Sequence, residues 1–190
     1  MDERTLALVD EFLAPTVHLR PLVRRALDGA AAERLTATRA QRMVLDGIRN
    51  VRRAAIVGPA GSGKSILAGE RARRLAREGA RTLVVCFNRP LAVELADGLA
   101  DALAPAGLEV HTFHGLCETL AARAGLLPPA PPAPGAEWFD RELPAALDGA
   151  IAALPGLRFH AVIVDEGQYF ARPWVESLDL LLDQPGEDVL

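Results

Sequence analysis

The stretch Ala54-Ala55-Ile56-Val57-Gly58-Pro59-Ala60-Gly61-Ser62-Gly63-Lys64-Ser65 decides the fold of this 190-residue chain. A short apolar run is followed by the G-x-x-x-x-G-K-S spacing of a phosphate-binding P-loop. The glycines let the loop fold back, so that successive backbone N–H groups point inward at phosphate oxygens. The helix that follows adds the positive end of its dipole. The stretch therefore predicts a strand, a loop and a helix that together bind phosphate.

The single lysine of the chain lies in this loop. Of the 21 basic residues, all but Lys64 are arginines. An ammonium group is a compact point charge that the planar guanidinium does not replace everywhere. We therefore predict that Lys64 contacts the β- and γ-phosphates of ATP and that the Ser65 hydroxyl is a ligand of Mg²⁺. The other predicted nucleotide-binding residues of the loop are Gly58, Pro59, Ala60, Gly61, Ser62 and Gly63.

Composition bounds the class of protein. Half of the residues are hydrophobic and 24% are charged, which favours a globular domain with a real core. No apolar run is long enough for a membrane span, no signal peptide is recognisable, and the two cysteines do not suggest a disulfide framework. We therefore expect a cytoplasmic protein with no membrane partner.

The net charge of −4 divides into +8 over residues 1–90 and −12 over residues 91–190. The basic half suits either a polyanion or a solvated helix face.

Four short apolar runs alternate with helix-patterned segments, which predicts an α/β fold with a parallel sheet flanked by helices. The predicted strands are Ala54–Val57, Thr82–Phe87, Val110–Phe113 and Ala161–Val164. Before them, residues 1–34 are predicted to form a helical collar of two amphipathic helices, divided by Pro15 and Pro21. A third helix is predicted to start after Thr36 or Thr38 and to end near Arg52, and a fourth spans Leu91–Leu103.

A proline-rich segment interrupts this alternation. Gly125–Ala136 contains five prolines and predicts a stiff linker without helix or strand. A short helical segment, about residues 137–154, follows it. We interpret residues of about 118–157 as an insertion in a domain that covers residues 35–190.

Two carboxylates follow the last predicted strand. Asp165 and Glu166 come directly after the run Ala161–Val164, where a magnesium ligand from across the sheet is expected in nucleotide-hydrolysing folds. We predict that Asp165 holds Mg²⁺ and that Glu166 polarises the attacking water. Adjacent carboxylates could also belong to an ordinary loop or helix cap. Because a small-molecule kinase does not need a glutamate that activates water at this position, Glu166 favours hydrolysis.

Four segments, in this order, resemble the UvrD/Rep-like superfamily 1 DNA helicases, especially those associated with a nuclease-related domain. They are GPAGSGKS from residue 58, VVCFNRPLA from 84, HTFHGLC from 111 and VDEGQYF from 164. The resemblance covers about residues 35–190 and implies a RecA-like P-loop ATPase fold. It also implies an ATP-dependent motor that translocates on single-stranded DNA, with ATP and Mg²⁺ as cofactors.

The resemblance assigns further residue roles. Gln41 is similar to the glutamine that reads adenine, and Gln168 to the one that senses the γ-phosphate. Asn88, Arg89, Thr112 and His114 correspond to the DNA-side motifs. Phe87 and Phe113 are expected to hold those loops in place, although ordinary core aromatics would follow the same pattern. His111, His114 and Cys117 have a metal-like spacing but lack a fourth ligand.

The resemblance also implies a second RecA-like domain that this sequence does not contain. Residues 186–190 are expected to begin another strand, so we interpret the chain as truncated and expect weak or no hydrolysis from it alone. Two other functions stay open. One is a nucleotide-gated module that binds DNA or protein without hydrolysis, and the other is a nucleotide or metabolite kinase. DNA-stimulated ATPase activity would separate the helicase from both.

Overall fold

The structure, a computed structural model, describes residues 16–18, 37–103 and 107–183. Its strands are β1 (Thr16–His18), β2 (Ala55–Val57), β3 (Thr82–Cys86), β4 (Leu108–Thr112) and β5 (Ala161–Val164). Its α-helices are α1 (Arg39–Gly47), α2 (Lys64–Arg77), α3 (Arg89–Gly98), α4 (Ala100–Leu103), α5 (Phe113–Ala124), α6 (Leu143–Ala153) and α7 (Arg172–Asp179). A π-helix spans Trp138–Glu142 and a 3₁₀-helix spans Gly167–Tyr169. The two predicted collar helices lie outside the described residues.

The chain divides between Arg71 and Ala72 into two compact units. In the first unit, β1 pairs in parallel with β2, with Val17 opposite Ile56. The sequence pattern did not predict β1, because three residues between two prolines are too few for a recognisable alternation. The strand lies between Pro15 and Pro21, in the break that the sequence predicts between the two collar helices.

Helix α1 begins at a residue that the sequence pattern named as a possible cap. Thr38 is the N-cap, its hydroxyl accepts a hydrogen bond from the Gln41 backbone N–H, and the Gln41 side chain accepts one from the Thr38 N–H. This reciprocal capping box satisfies two backbone donors that a helix start leaves without partners. The helix ends at Gly47, earlier than the predicted end near Arg52.

The second unit is built on a parallel sheet with the strand order β4-β3-β5. Cys86 lies opposite Thr112, and Val85 lies opposite Val164. Every residue of β3 is buried, as expected for the central strand of a parallel sheet flanked by helices. Helices α3 and α5 both contact β3 and β4. The prediction of a mixed α/β fold with a parallel sheet is confirmed in this unit.

The strand and helix boundaries around Phe113 differ from the prediction of a strand over Val110–Phe113. Strand β4 begins two residues earlier, at Leu108, and Phe113 is the first residue of α5. The apolar pattern did not include Leu108 and Glu109, because β4 is an edge strand that contains polar residues. The side chains of Glu109 and His111 pair with each other at 3.3 Å. Thr112 ends the strand because its hydroxyl accepts a hydrogen bond from the Gly115 N–H at 3.1 Å and so caps α5.

The predicted helix Leu91–Leu103 is two helices, α3 and α4, separated at Leu99. Gly98, which has low helix propensity, is the last residue of α3. The buried Arg73 guanidinium donates a hydrogen bond to the Gly98 carbonyl oxygen at 2.6 Å and pairs with Asp101 at 3.6 Å. This arginine therefore binds the carboxyl end of α3, where carbonyl groups lack helical partners.

The core of the second unit lies between the sheet and helices α5, α6 and α7. Phe113 is 1% exposed and stacks on Trp174, with ring centroids 4.5 Å apart and an interplanar angle of 14°. Helix α5 ends at Gly125, which adopts a left-handed conformation with φ +70°. The proline-rich stretch that follows has no strand, and its last residue joins a helical turn ahead of the π-helix. The expected linker is confirmed over most of its length.

Within the ranges that the structure describes, none of the helices has the length and apolar character needed to cross a membrane.

Candidate functional site

The loop of residues 58–65 connects β2 to α2 in the first unit. Gly61 and Gly63 have φ values of +74° and +89°, a region that side-chain-bearing residues rarely adopt. The Ser62 N–H donates to the Pro59 carbonyl oxygen at 3.2 Å, which closes a turn inside the loop. The strand, loop and helix therefore occur in the order that the sequence predicts.

The Lys64 side chain folds back over this loop. Its Nζ donates hydrogen bonds to the carbonyl oxygens of Gly58 at 3.0 Å and Pro59 at 3.2 Å. Ser62 is 2% exposed, and its hydroxyl oxygen has no hydrogen-bond partner among the described residues. Ser65 lies half-buried in the first turn of α2, which contains no acidic side chain. The loop therefore gathers a cation, a helix start and an unpartnered hydroxyl.

Gln41 lies against the same loop from α1. The residue is 3% exposed, and its Oε1 accepts the Thr38 N–H at 2.8 Å. A Cβ atom at Gly63 would lie 2.1 Å from the Gln41 Nε2, closer than real Cβ contacts occur. A side chain at this position would therefore have to displace the Gln41 carboxamide, and the positive φ of Gly63 independently favours glycine.

Asp165 follows β5 in the second unit and is 4% exposed. Its backbone N–H continues the pairing of β5 by donating to the Val85 carbonyl oxygen at 2.9 Å. Its Oδ1 accepts the Glu166 N–H at 2.9 Å, whereas its buried Oδ2 has no hydrogen-bond partner among the described residues. Burial and the charge of Asp165 raise the pKa of the neighbouring Cys86 thiol to about 11. An unpartnered carboxylate oxygen in a buried position is suited to a cation.

Glu166 is the only described non-glycine residue with a positive φ. Its φ and ψ of +57° and +37° are left-handed values that cost a side-chain-bearing residue about 1–2 kcal/mol. Its Oε2 accepts a hydrogen bond from Nε2 of Gln168. Both predicted catalytic groups of the second unit therefore lie on one turn, and the ring of Tyr169 at its end packs 5.0 Å from the ring of Phe87.

The predicted DNA-side residues lie at the carboxyl edge of the three-stranded sheet, next to this turn. Asn88 follows β3 and caps α3, where its Oδ1 accepts the Leu91 N–H at 2.9 Å. Thr112 caps α5 in the same way. Arg89 is exposed in the first turn of α3. Two of these side chains thus stabilise helix starts, and Arg89 is the exposed cation beside them.

His114 lies among aromatic rings. Its Nε2 lies 3.0 Å from the Phe139 carbonyl oxygen, and its ring packs edge-on against Trp174 with centroids 4.9 Å apart. Burial lowers the pKa of His114, although its hydrogen bond to the Phe139 carbonyl and the nearby Asp140 and Glu118 oppose this effect. The contacts with Phe139 and Trp174 were not predicted, because these residues are far away from His114 in sequence.

The two phenylalanines of the DNA-side motifs differ from each other. Phe113 is a core residue, as the alternative interpretation of its pattern held. Phe87 is 40% exposed and contacts Tyr169, which is 58% exposed. Nothing in the apolar run before Phe87 distinguishes the last buried residue of a strand from the first exposed one.

No group of three or more His, Cys, Asp or Glu side chains that could hold a metal occurs in residues 37–103 and 107–183. His111 contacts Glu109, His114 contacts Phe139, and Cys117 is buried. Burial raises the pKa of Cys117 to about 12. These three residues therefore have a sequence spacing typical of metal ligands, but each lies in a different environment.

Comparison with protein-family models, curated proteins and solved structures finds no match to this chain. The resemblance to superfamily 1 helicases rests on the four sequence segments.

Proposed function

We propose that this chain is the nucleotide-binding part of a superfamily 1 DNA helicase, which binds Mg·ATP through the 58–65 loop. The observation that carries the proposal is the contact of Lys64 Nζ with the Gly58 and Pro59 carbonyl oxygens, in a loop with two glycines at positive φ. This arrangement holds the only lysine where a phosphate chain would meet the start of α2. Backbone N–H groups at a helix start and an ammonium group are the donors that phosphate prefers.

Each unit, taken by itself, holds a side chain whose chemistry suits a magnesium-bound nucleotide. The Ser65 hydroxyl and the Asp165 carboxylate are hard oxygen ligands, and one oxygen of Asp165 is buried without a hydrogen-bond partner among the described residues. Mg²⁺, when bound, neutralises charge on the phosphate oxygens. In this proposal Asp165 holds the metal, Glu166 orients the water and Gln168 responds to the γ-phosphate. The strained backbone of Glu166 supports a catalytic role over an ordinary loop, because such strain concentrates at functional sites.

Single-stranded DNA is the proposed partner of the carboxyl edge of the three-stranded sheet. The exposed Arg89 supplies a cation, and the neighbouring Asn88 and Thr112 begin two helices whose N–H groups face that edge. Helix starts and arginines contact phosphates without reading sequence. A second RecA-like domain, and a nuclease-related domain in the whole protein, are further partners in this proposal.

Calorimetric titration with Mg·ADP tests the nucleotide site. We expect wild-type protein to bind and Lys64→Ala to lose at least about ten-fold in affinity, because the phosphates lose a charge-assisted contact. Arg77→Ala is the matched control, since it removes one exposed cation from the same helix. Unchanged affinity in a folded Lys64→Ala variant would refute the assignment. Equal losses in both variants would point to general charge instead.

A further inference from the structure

The carboxamide of Gln41 has a different neighbour at each end. Its oxygen accepts the Thr38 N–H at 2.8 Å. Since that neighbour is a donor, the amide cannot be flipped, and the NH₂ group must be the end that faces the 58–65 loop. There Nε2 fills the space that a Cβ of Gly63 would need.

Gly63 connects the 58–65 loop to the start of α2. It directly precedes Lys64, and its carbonyl oxygen accepts the Leu67 N–H at 3.0 Å, which is the first helical hydrogen bond of α2. A displacement of Gly63 would therefore move both the ammonium-bearing residue and the N–H groups of the helix start.

We infer that Gln41 is a positioning residue that braces the 58–65 loop through Gly63, so that affinity for the phosphate chain depends on Gln41 whatever base is attached. The inference rests on the proposed nucleotide site. Reading adenine would require both the oxygen and the NH₂ group of the amide at once. In this structure the oxygen already accepts one hydrogen bond, from Thr38, and the side chain is 3% exposed, so little of the amide is open to a base.

The experiment compares three probes that share a phosphate chain: Mg·ADP, Mg·GDP and Mg·tripolyphosphate. We expect Gln41→Ala to weaken all three by a similar factor, on the order of ten-fold. A base reader would instead lose affinity for Mg·ADP and keep it for the other two. That outcome, or unchanged affinity for all three probes, overturns the inference.

Two variants separate the brace from the helix cap. Gln41→Glu keeps an acceptor for the Thr38 N–H, replaces the NH₂ group that faces Gly63 and adds a negative charge beside the loop, so we expect it to lose at least as much affinity as Gln41→Ala. Thr38→Ala removes the capping hydroxyl and leaves the Gln41 side chain, so we expect affinity within about two-fold of wild type. If Thr38→Ala instead loses as much as Gln41→Ala, the effect belongs to the cap and the brace is refuted.

A second measurement needs no ligand. Amide hydrogen exchange at Leu67, whose N–H donates to the Gly63 carbonyl oxygen, should be faster in nucleotide-free Gln41→Glu than in wild type, whereas exchange in β3 should be unchanged. Unaltered exchange at Leu67 overturns the brace. If wild-type protein binds none of the three probes, the proposed function fails, and the exchange result alone decides the role of Gln41.

Discussion

Lys64 Nζ lies 3.0 Å from the carbonyl oxygen of Gly58, and this contact holds the ammonium group over its own loop. The charge is thus already placed before any ligand arrives, which reduces the ordering that binding would require. A phosphate oxygen would compete with a carbonyl oxygen for the same donors, and the anion forms the stronger hydrogen bond.

The helix caps at the sheet edge give the first prediction. Asn88→Ala and Thr112→Ala should each lower the free energy of unfolding by about 1 kcal/mol, because each leaves a helical N–H without its side-chain acceptor. Thr112→Ser, which keeps an oxygen, should stay close to wild type. Urea denaturation measures these differences, and a Thr112→Ala variant as stable as Thr112→Ser would contradict the capping role.

DNA binding can be separated from capping by the exposed Arg89. We expect wild-type protein to bind an oligothymidine weakly and less tightly as salt rises, because few phosphate contacts are available. Arg89→Ala should reduce the magnitude of the salt slope by about 0.7, the value for one single-strand phosphate contact. Arg77→Ala serves as the control for charge. Salt-independent binding, or identical slopes in all three proteins, would exclude this surface.

His114 should make the free energy of unfolding sensitive to acid. Because its pKa in the folded protein is lowered by burial, the unfolded chain binds the additional proton first as the pH falls through 6.5. Stability is therefore expected to decrease from neutral pH to mildly acidic pH. The free energy of unfolding in urea should fall less over this range in His114→Gln than in wild type. Parallel pH profiles for the two proteins would show that His114 contributes nothing to this dependence.

Asp165 and Glu166 are expected to have different roles in nucleotide binding and hydrolysis. Asp165→Asn should lose the magnesium-dependent part of nucleotide affinity, by on the order of ten-fold, because a metal ligand loses its charge. Glu166→Gln should keep nucleotide affinity and remove hydrolysis in a protein that contains the proposed second RecA-like domain. Titrations with and without Mg²⁺ measure the first effect. Equal losses of affinity in both variants would contradict the division.

Part of the fold could be predicted because local rules and packing agree. The bounds of β5 match the apolar run Ala161–Val164, and Thr38 caps α1 as its residue type suggests. Prediction from sequence failed where the position of a segment in the sheet, rather than its local hydrophobic pattern, sets the boundaries of an element. The edge strand β4 tolerates Glu109 and His111 as half-buried residues, so its apolar run is shorter than the strand.

For the candidate site, the sequence predicted the order of strand, loop and helix, but it did not predict which contacts the side chains make. The order of strand, loop and helix around Gly58 follows from its glycine spacing. In contrast, the buried contact of Gln41 with Gly63 and the left-handed backbone of Glu166 depend on packing that no local pattern encodes. Asn88 and Thr112 were assigned to DNA, and their capping contacts emerge only when the start of each helix is known.

The most direct test of the nucleotide site is the response of backbone amide resonances to Mg·ADP. If the 58–65 loop cradles phosphates, the amides of Gly61, Gly63, Lys64 and Ser65 should shift most, because their N–H groups would donate to the ligand. Lys64→Ala, at the same nucleotide concentration, should show much smaller shifts. Saturation that leaves these amides unchanged, or the largest shifts elsewhere in the chain, would contradict the account.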